Sequence, residues 1–326
     1  MRKIAAAVVA ALTFSLIAAP ARAQDWPNRP VTLVVPYAAG GPVDTIARII
    51  AARMSELLGR QMVIENVGGA GGMTGSNRVA KAAPDGYTVL LSGSATLAQN
   101  PTFHRRPLYN PVADFEHAAL FSDSARVLIA RKEFPAKDFS EFVAYAKAHQ
   151  GELHYGSSGA GAGAHTCAIL LDGAIGTKIT HVPYRGAGPA MQDLIAGRID
   201  YMAEQISTAI PQINGGKVKA YVTFGRDRAP GLDDLPTAAE LGLNGLDCGA
   251  WAAFSFPKGT PRAIVERLAK ASSDAIDTPA VRERYKKMGV VVAAPNRRSP
   301  EYITAFVKSE IARWAVPIKA SGIMMD

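Results

Sequence analysis

The sequence predicts an α/β protein of two lobes, and three observations carry that prediction. Short β-branched runs alternate with helical patterns, the alternation begins afresh midway, and glycine-rich turns stand between strand and helix.

The first half reads in order as Val31 to Val35, a helix, Met62 to Ile64, another helix, and Tyr87 to Leu91. A βαβαβ order of this kind argues for a parallel sheet with helices on both faces. Ile46, Ile49, Ile50, Met54, Leu57 and Leu58 recur at helical spacing, with Asp44 or Thr45 placed to cap the helix and Gly59 to stop it. The alternation resumes at Arg126 to Ala130, followed by a helix opened by Asp138 and Glu141 in capping-box form. Leu153 to Tyr155, a helix, Ile179 to Val182 and Val218 to Val222 complete a second copy of the architecture, without a close internal sequence repeat. From Thr260 onward the chain reads as mostly helical, with Pro261, Pro279 and Pro300 at first helical positions. No low-complexity linker separates the lobes, so a hinge of crossing strands is expected. Ligands of open α/β sheets bind at the carboxyl ends of strands, here the walls of an inter-lobe cleft.

Arg2 and Lys3 precede an apolar run, Ile4 to Ala19, that ends in Ala21, Arg22 and Ala23. That pattern is a secretory signal peptide cleaved after Ala23, since about 16 apolar residues fall short of the ~20 that span a bilayer. The mature chain is therefore expected to be soluble and exported. Of the formal charge of +8, three positive residues belong to this leader. The remaining surplus is scattered and lacks aromatic interleaving, which argues against nucleic acid and for a mild attraction of anionic solutes. Cys167 and Cys248 are the only cysteines. They exclude a disulfide framework and a cysteine-rich metal site, while export leaves both one bridge and two buried thiols open.

Three glycine-rich turns follow strands: Pro36 to Asp44, Gly68 to Gly75, and Gly156 to Ala164. Backbone amides at a helix N-terminus are unpaired and lie at the positive end of the helix dipole, so each turn is a candidate anion site. The third contains Gly159-x-Gly161-x-x-Ala164, the relaxed dinucleotide fingerprint. The next strand ends His181 to Arg185 with no carboxylate for a ribose, and no Gly-Lys-Ser/Thr closes any turn. Neither serine of Ser157-Ser158 sits in Gly-x-Ser-x-Gly, and the six histidines show no ligand-like spacing. No cofactor, metal or catalytic residue is expected, and the chain reads as a binding protein. The rival readings are an exported α/β hydrolase and a binding module that senses an anionic solute for a regulatory partner.

Over essentially its whole mature length the chain resembles the Bug-type extracytoplasmic solute receptors of tripartite tricarboxylate transporters. The resemblance rests on Trp26-Pro-x-Arg-Pro30, Pro36-Tyr-x-x-Gly-Gly41 with Asp44, Ala47 and Arg48, and Glu65-Asn66 before Gly69 to Gly72. It continues through Ala83 to Thr88, Asn100-Pro101, Asp114-Phe115, Tyr155 with Ser157 to Gly159, His181 to Gly186 with Gly188 to Ala190, and Pro257 to Pro261. It implies a type II periplasmic binding protein fold, with lobe 1 from residues 24–122 and 253–326 and lobe 2 from 123–252. It implies a monomer that captures an organic carboxylate, a di- or tricarboxylate or an aromatic acid, and delivers it to membrane permease subunits.

Carried over position by position, the resemblance gives Tyr37, Ala38, Ala39 and Gly40 from the first loop, and Ser92, Gly93 and Ser94 from the loop after Leu91. The second lobe supplies Ser157, Ser158, Gly161, Ala162 and His165, then Tyr184, Gly186 and Glu204. Amides and small hydroxyls would then hold the acid, without a fixed positive side chain. Two residues depart from the family pattern: Ala162 stands where serine is common, and Glu204 where aspartate is usual.

Overall fold

The computed structural model describes residues 26–225, 227–322 and 324; the expected leader, residues 1–23, lies outside them. Two sheets, each buried on both faces, form the two lobes.

In the first lobe β1 (Val31–Val35) pairs in parallel with β2 (Met62–Asn66) and β3 (Thr88–Gly93). Helix α1 (Pro42–Leu58) joins the first two and lays Ile46, Ile50, Met54 and Leu58 on the sheet. Leu57 departs from that stripe and is exposed. The helix also starts earlier than its apolar pattern suggests. Gly41 is its N-cap and Pro42 its first residue, because proline's fixed φ suits that position and its missing N–H costs nothing there. Asp44 is thereby drawn into the first turn, where it accepts from Gly40 N at 2.9 Å and from the Arg48 and Asn66 side chains. Gly59 ends the helix in the left-handed region at φ 67°, which a side chain would disfavour. Beyond it come α2 (Met73–Ala80), a π-helical stretch at Ala95–Gln99 and the short α3 (Asn100–Phe103).

The chain changes lobe abruptly. β4 (Phe115–Ser124) lies in the first sheet and β5 (Arg126–Arg131) in the second, with Ala125 alone between them. The second lobe then builds α4 (Phe139–Ala148), β6 (His154–Ser157), α5 (Gly163–Ile175), β7 (Thr180–Pro183), α6 (Ala187–Ile195), β8 (Tyr201–Gln205), α7 (Ile206–Asn214) and β9 (Val218–Thr223). Asp138 caps α4 by accepting from Glu141 N at 2.9 Å, and Glu141 reaches back to Lys137 N at 2.8 Å, one residue beyond the N-cap amide that a full capping box engages.

β10 (Ala250–Pro257) returns to the first sheet, pairing antiparallel with β3 and β4. It is buried along its whole length, which explains why Ala250 to Phe256 carries no polar/apolar alternation for the sequence to show. Helices α8 (Arg262–Ile276), α9 (Pro279–Lys287) and α10 (Pro300–Ala320), with the edge strand β11 (Val291–Val292), close the first lobe. Pro279 and Pro300 open their helices, whereas Pro261 is the N-cap of α8, one residue outside it.

The strand orders are β11-β4-β10-β3-β1-β2 and β7-β6-β8-β5-β9. Apart from the edge strand β11 they are the same order, with one antiparallel strand in each. That strand is in both cases the one arriving from the other lobe. Entering antiparallel, it begins at the carboxyl edge of its parallel neighbours, so the first residues of β5 and β10 stand where such sheets bind ligands. Cys167 on α5 and Cys248, just ahead of β10, form a disulfide with Cα atoms 5.6 Å apart. This closes the question that the two cysteines left open.

Candidate functional site

A cleft runs between the lobes, floored by the crossing strands at Ser122, Ser124 and Trp251. The first lobe lines it with Tyr37, the start of α1 and the Gly93-Ser94 turn. The second lines it with Arg126, Ser158, Gly163 at the start of α5, Glu204 and Gln205. Val43, Ile46, Ala95 and Ala187 give it an apolar wall. An apolar space with a few convergent polar groups is the usual character of a small-molecule site.

The charges in it are buried. Arg126 is 6% exposed and Glu204 1%. Burial works against both charged forms: it lowers the pKa of the Arg126 guanidinium and raises that of the Glu204 carboxyl, while each favours the other's charge. Thr208 Oγ1 donates to Glu204 Oε1 at 2.7 Å. Burial also pushes the Tyr37 phenol up to about 12, against the pull of Arg126 and Ser92, so Tyr37 serves the cleft as a neutral hydroxyl. Arg126 lies hard against the start of α5: a Cβ on Gly163 would stand 2.3 Å from Arg126 Nη2. The expectation names no positive side chain at the site, and the structure adds the Arg126 guanidinium to the cleft lining. Its readable signal was an arginine opening an otherwise apolar strand, which becomes meaningful only once that strand is known to run antiparallel.

The other residues carried over from the resemblance lie in two places. Tyr37, Gly93, Ser94, Ser158 and Glu204 line the cleft. Most of the rest frame its loops. Ser92 Oγ is 2.5 Å from Thr96 Oγ1, Ser157 Oγ accepts from Gly159 N and lies 2.6 Å from His181 Nε2, and Gly161 N donates to His165 Nδ1 at 3.1 Å. Ala162 N donates to Gly159 O, Tyr184 donates to Asp193 at 2.7 Å, and Gly40 N is taken by Asp44. Ala39 lines a separate surface depression beside Arg48 and Lys287.

The remaining loop contacts join the lobes. Ala38 N donates to Arg185 O at 3.1 Å, and Thr166 Oγ1 donates to Gln99 Oε1 at 2.9 Å. Glycines make this approach possible. A Cβ at Gly186 would stand 2.7 Å from Ala38 N, and one at Gly71 would stand 2.2 Å from Ala160 O. Glycine in these turns thus lets backbone meet backbone across the seam, a use that the sequence does not distinguish from close approach to a ligand.

Behind the 156–165 turn the His165 and His181 rings stack with centroids 4.0 Å apart, next to Tyr155. Burial holds both well below the ordinary histidine range, and His165 lowers His181 further. His117, between Ser255 Oγ and Pro111 O, is likewise held down, at about 4, chiefly by burial. An unfolded histidine takes its proton near pH 6.5, whereas these stay neutral in the fold. Stability is accordingly full above about pH 6.5 and falls as pH drops toward 4, by on the order of 3 kcal/mol for His117 alone. Melting temperatures measured from pH 7.5 down to 4.5 should decline through this window, and His117→Gln should flatten the decline; a flat wild-type profile would contradict the assignment.

A family model described as tripartite tricarboxylate transporter family receptor matches residues 46–323. A curated relative, the UPF0065 protein in the TAR-I ttuE-ttuC' intergenic region of Agrobacterium vitis, is 41% identical over 314 residues, covering 95% of this chain and 90% of its own. Among solved structures, that of the periplasmic binding protein BugD superposes with a TM-score of 0.90 at 38% identity, covering 92% of this chain and all of its own. MatC from Rhodopseudomonas palustris with bound malate gives 0.87 at 42% identity, over 90% of this chain and all of its own.

Proposed function

From the premise that the chain belongs to the tripartite tricarboxylate transporter receptor family, we propose that it captures a small organic carboxylate in the periplasm and hands it to membrane permease subunits. It is exported by cleavage after Ala23, works as a monomer and releases its acid unchanged. The ligand lies between the lobes, touching Tyr37, Ser94 and Ser158 as well as the residues of the hinge. Closure follows because an acid that contacts both lobes binds the closed arrangement better than the open one.

The observation that carries this reading is a buried guanidinium at the start of α5, in a cleft whose two walls come from different lobes. MatC, a similar structure, holds malate. The magnitudes are adequate: hydrogen bonds to a charged group contribute about 1.5 to 3 kcal/mol each, and micromolar affinity needs about 8 kcal/mol. Three or four such bonds with some apolar contact suffice after ordering costs.

The experiment is a calorimetric and thermal-shift screen against succinate, malate, aspartate, citrate, glutarate and benzoate, with the bound acid recovered and identified. At least one acid should bind at micromolar Kd, raise the melting temperature and return unaltered. Turnover of the acid would favour an exported hydrolase, and failure of every acid to bind would remove the receptor reading.

A further inference from the structure

We propose that Arg126 is the charged anchor for a ligand carboxylate, and that Glu204 selects acids carrying a hydrogen-bond donor beside that carboxylate. This rests on the receptor reading above and deepens it.

Two arginines are deeply buried among the described residues. Arg298, 5% exposed, spends its donors inside the fold, on Ala293 O at 2.7 Å, Ser273 Oγ at 3.1 Å and Asp277 Oδ2 at 2.8 Å. A structural arginine is held in this way, here through Nε and Nη1, with only Nη2 left unpaired. Arg126 is as deeply buried, yet among the described residues no hydrogen bond or ion pair engages its guanidinium, and it lines the cleft. Five planar donors without a partner, in a space open to a small molecule, match a carboxylate, which takes two of them side by side.

The surroundings point the same way. The guanidinium stands against Gly163, where the first amides of α5 already place the positive end of a helix dipole. Glu204 offsets part of this positive charge from beyond ion-pair distance, and a ligand carboxylate in direct contact would offset the rest. Gly163 preserves the arrangement, since any side chain there would evict Arg126.

Glu204 supplies the selection. It is an acceptor, with one oxygen held by Thr208, and it faces the same space. A methylene placed beside it strips its water and returns nothing, whereas a hydroxyl or an ammonium group returns a hydrogen bond. The ligand is thus an acid with a hydroxyl or amino group next to the carboxylate that Arg126 holds.

Succinate, malate and aspartate differ only in bearing hydrogen, hydroxyl or ammonium at one carbon, so calorimetry with these three probes on wild type, Arg126→Gln and Glu204→Gln tests both roles. Wild type should bind malate or aspartate at least tenfold more tightly than succinate, and whichever of the two prevails identifies the donor. Arg126→Gln should weaken that acid at least 100-fold while leaving the ligand-free melting temperature unchanged or higher, because a structural arginine would lower it. Glu204→Gln should reduce the preference over succinate to less than threefold. Retained affinity in Arg126→Gln, a lowered ligand-free melting temperature, or wild-type binding of succinate, glutarate or benzoate as tight as that of the substituted acids would overturn the proposal with the receptor reading intact. Failure of every acid in the wider panel would instead overturn the reading on which it rests.

Discussion

Gly186→Ala is expected to weaken ligand binding by ten- to a hundredfold while leaving the ligand-free protein nearly as stable as wild type. Gly186 has φ 171°, extended backbone that any residue adopts, so alanine introduces no strain of its own. The added methyl would stand 2.7 Å from Ala38 N and 2.8 Å from Ala38 Cβ, on the other lobe. The conflict therefore exists only when the lobes meet. Overpacking of this kind costs about 1 to 3 kcal/mol, and a cost confined to the closed state appears directly as lost affinity, tenfold for each ~1.4 kcal/mol. Calorimetry with the best-binding acid gives the affinity, and scattering with and without it gives the closure. Unchanged affinity would mean that the Ala38–Gly186 contact is not part of the ligand-bound arrangement.

Replacing both Cys167 and Cys248 by serine is expected to cost 2 to 5 kcal/mol of stability without abolishing binding. The two are 81 residues apart, and releasing a loop of that size restores much freedom to the unfolded chain, about 4 to 5 kcal/mol in the chain-entropy model. Both are buried in the core of the second lobe, at 0% and 2% exposure, so two hydroxyls also enter an apolar site. For a protein of this size the melting temperature should fall by on the order of 10 °C. The bridge ties α5 to the segment that enters β10, and neither cysteine lines the cleft, so affinity should change less than threefold. Equal melting curves for the variant and the wild type would show that the bridge contributes nothing.

The two predictions probe parts of the molecule that were unequally legible. β1, β2, β5 and β9 begin at the residues where the short apolar runs begin, because a strand's preference for β-branched and apolar residues is local. Gly59 and Asp138 announced their helix ends for the same reason: one residue's φ preference or one side-chain oxygen decides each. β4 and β10 could be expected only as unspecified crossing strands. Pairing between residues some 130 positions apart, such as Ala250 with Ser124, leaves no mark on either segment alone.

The site divides along the same line. Tyr37, Ser94, Ser158 and Glu204 follow or end recognisable strands and are carried by the family resemblance. Arg126 is not, because its place at the cleft follows from the direction in which β5 crosses. By itself the sequence determined the two-lobed α/β architecture, the alternation of its elements and the family, since periodicity, capping and motif order are properties of neighbouring residues. Only the tertiary structure decided that the cysteines are bonded, that several glycines serve lobe against lobe, and that an unsatisfied guanidinium faces the cleft. Each of these depends on distances between residues far apart in the chain, and such distances exist only once it has folded.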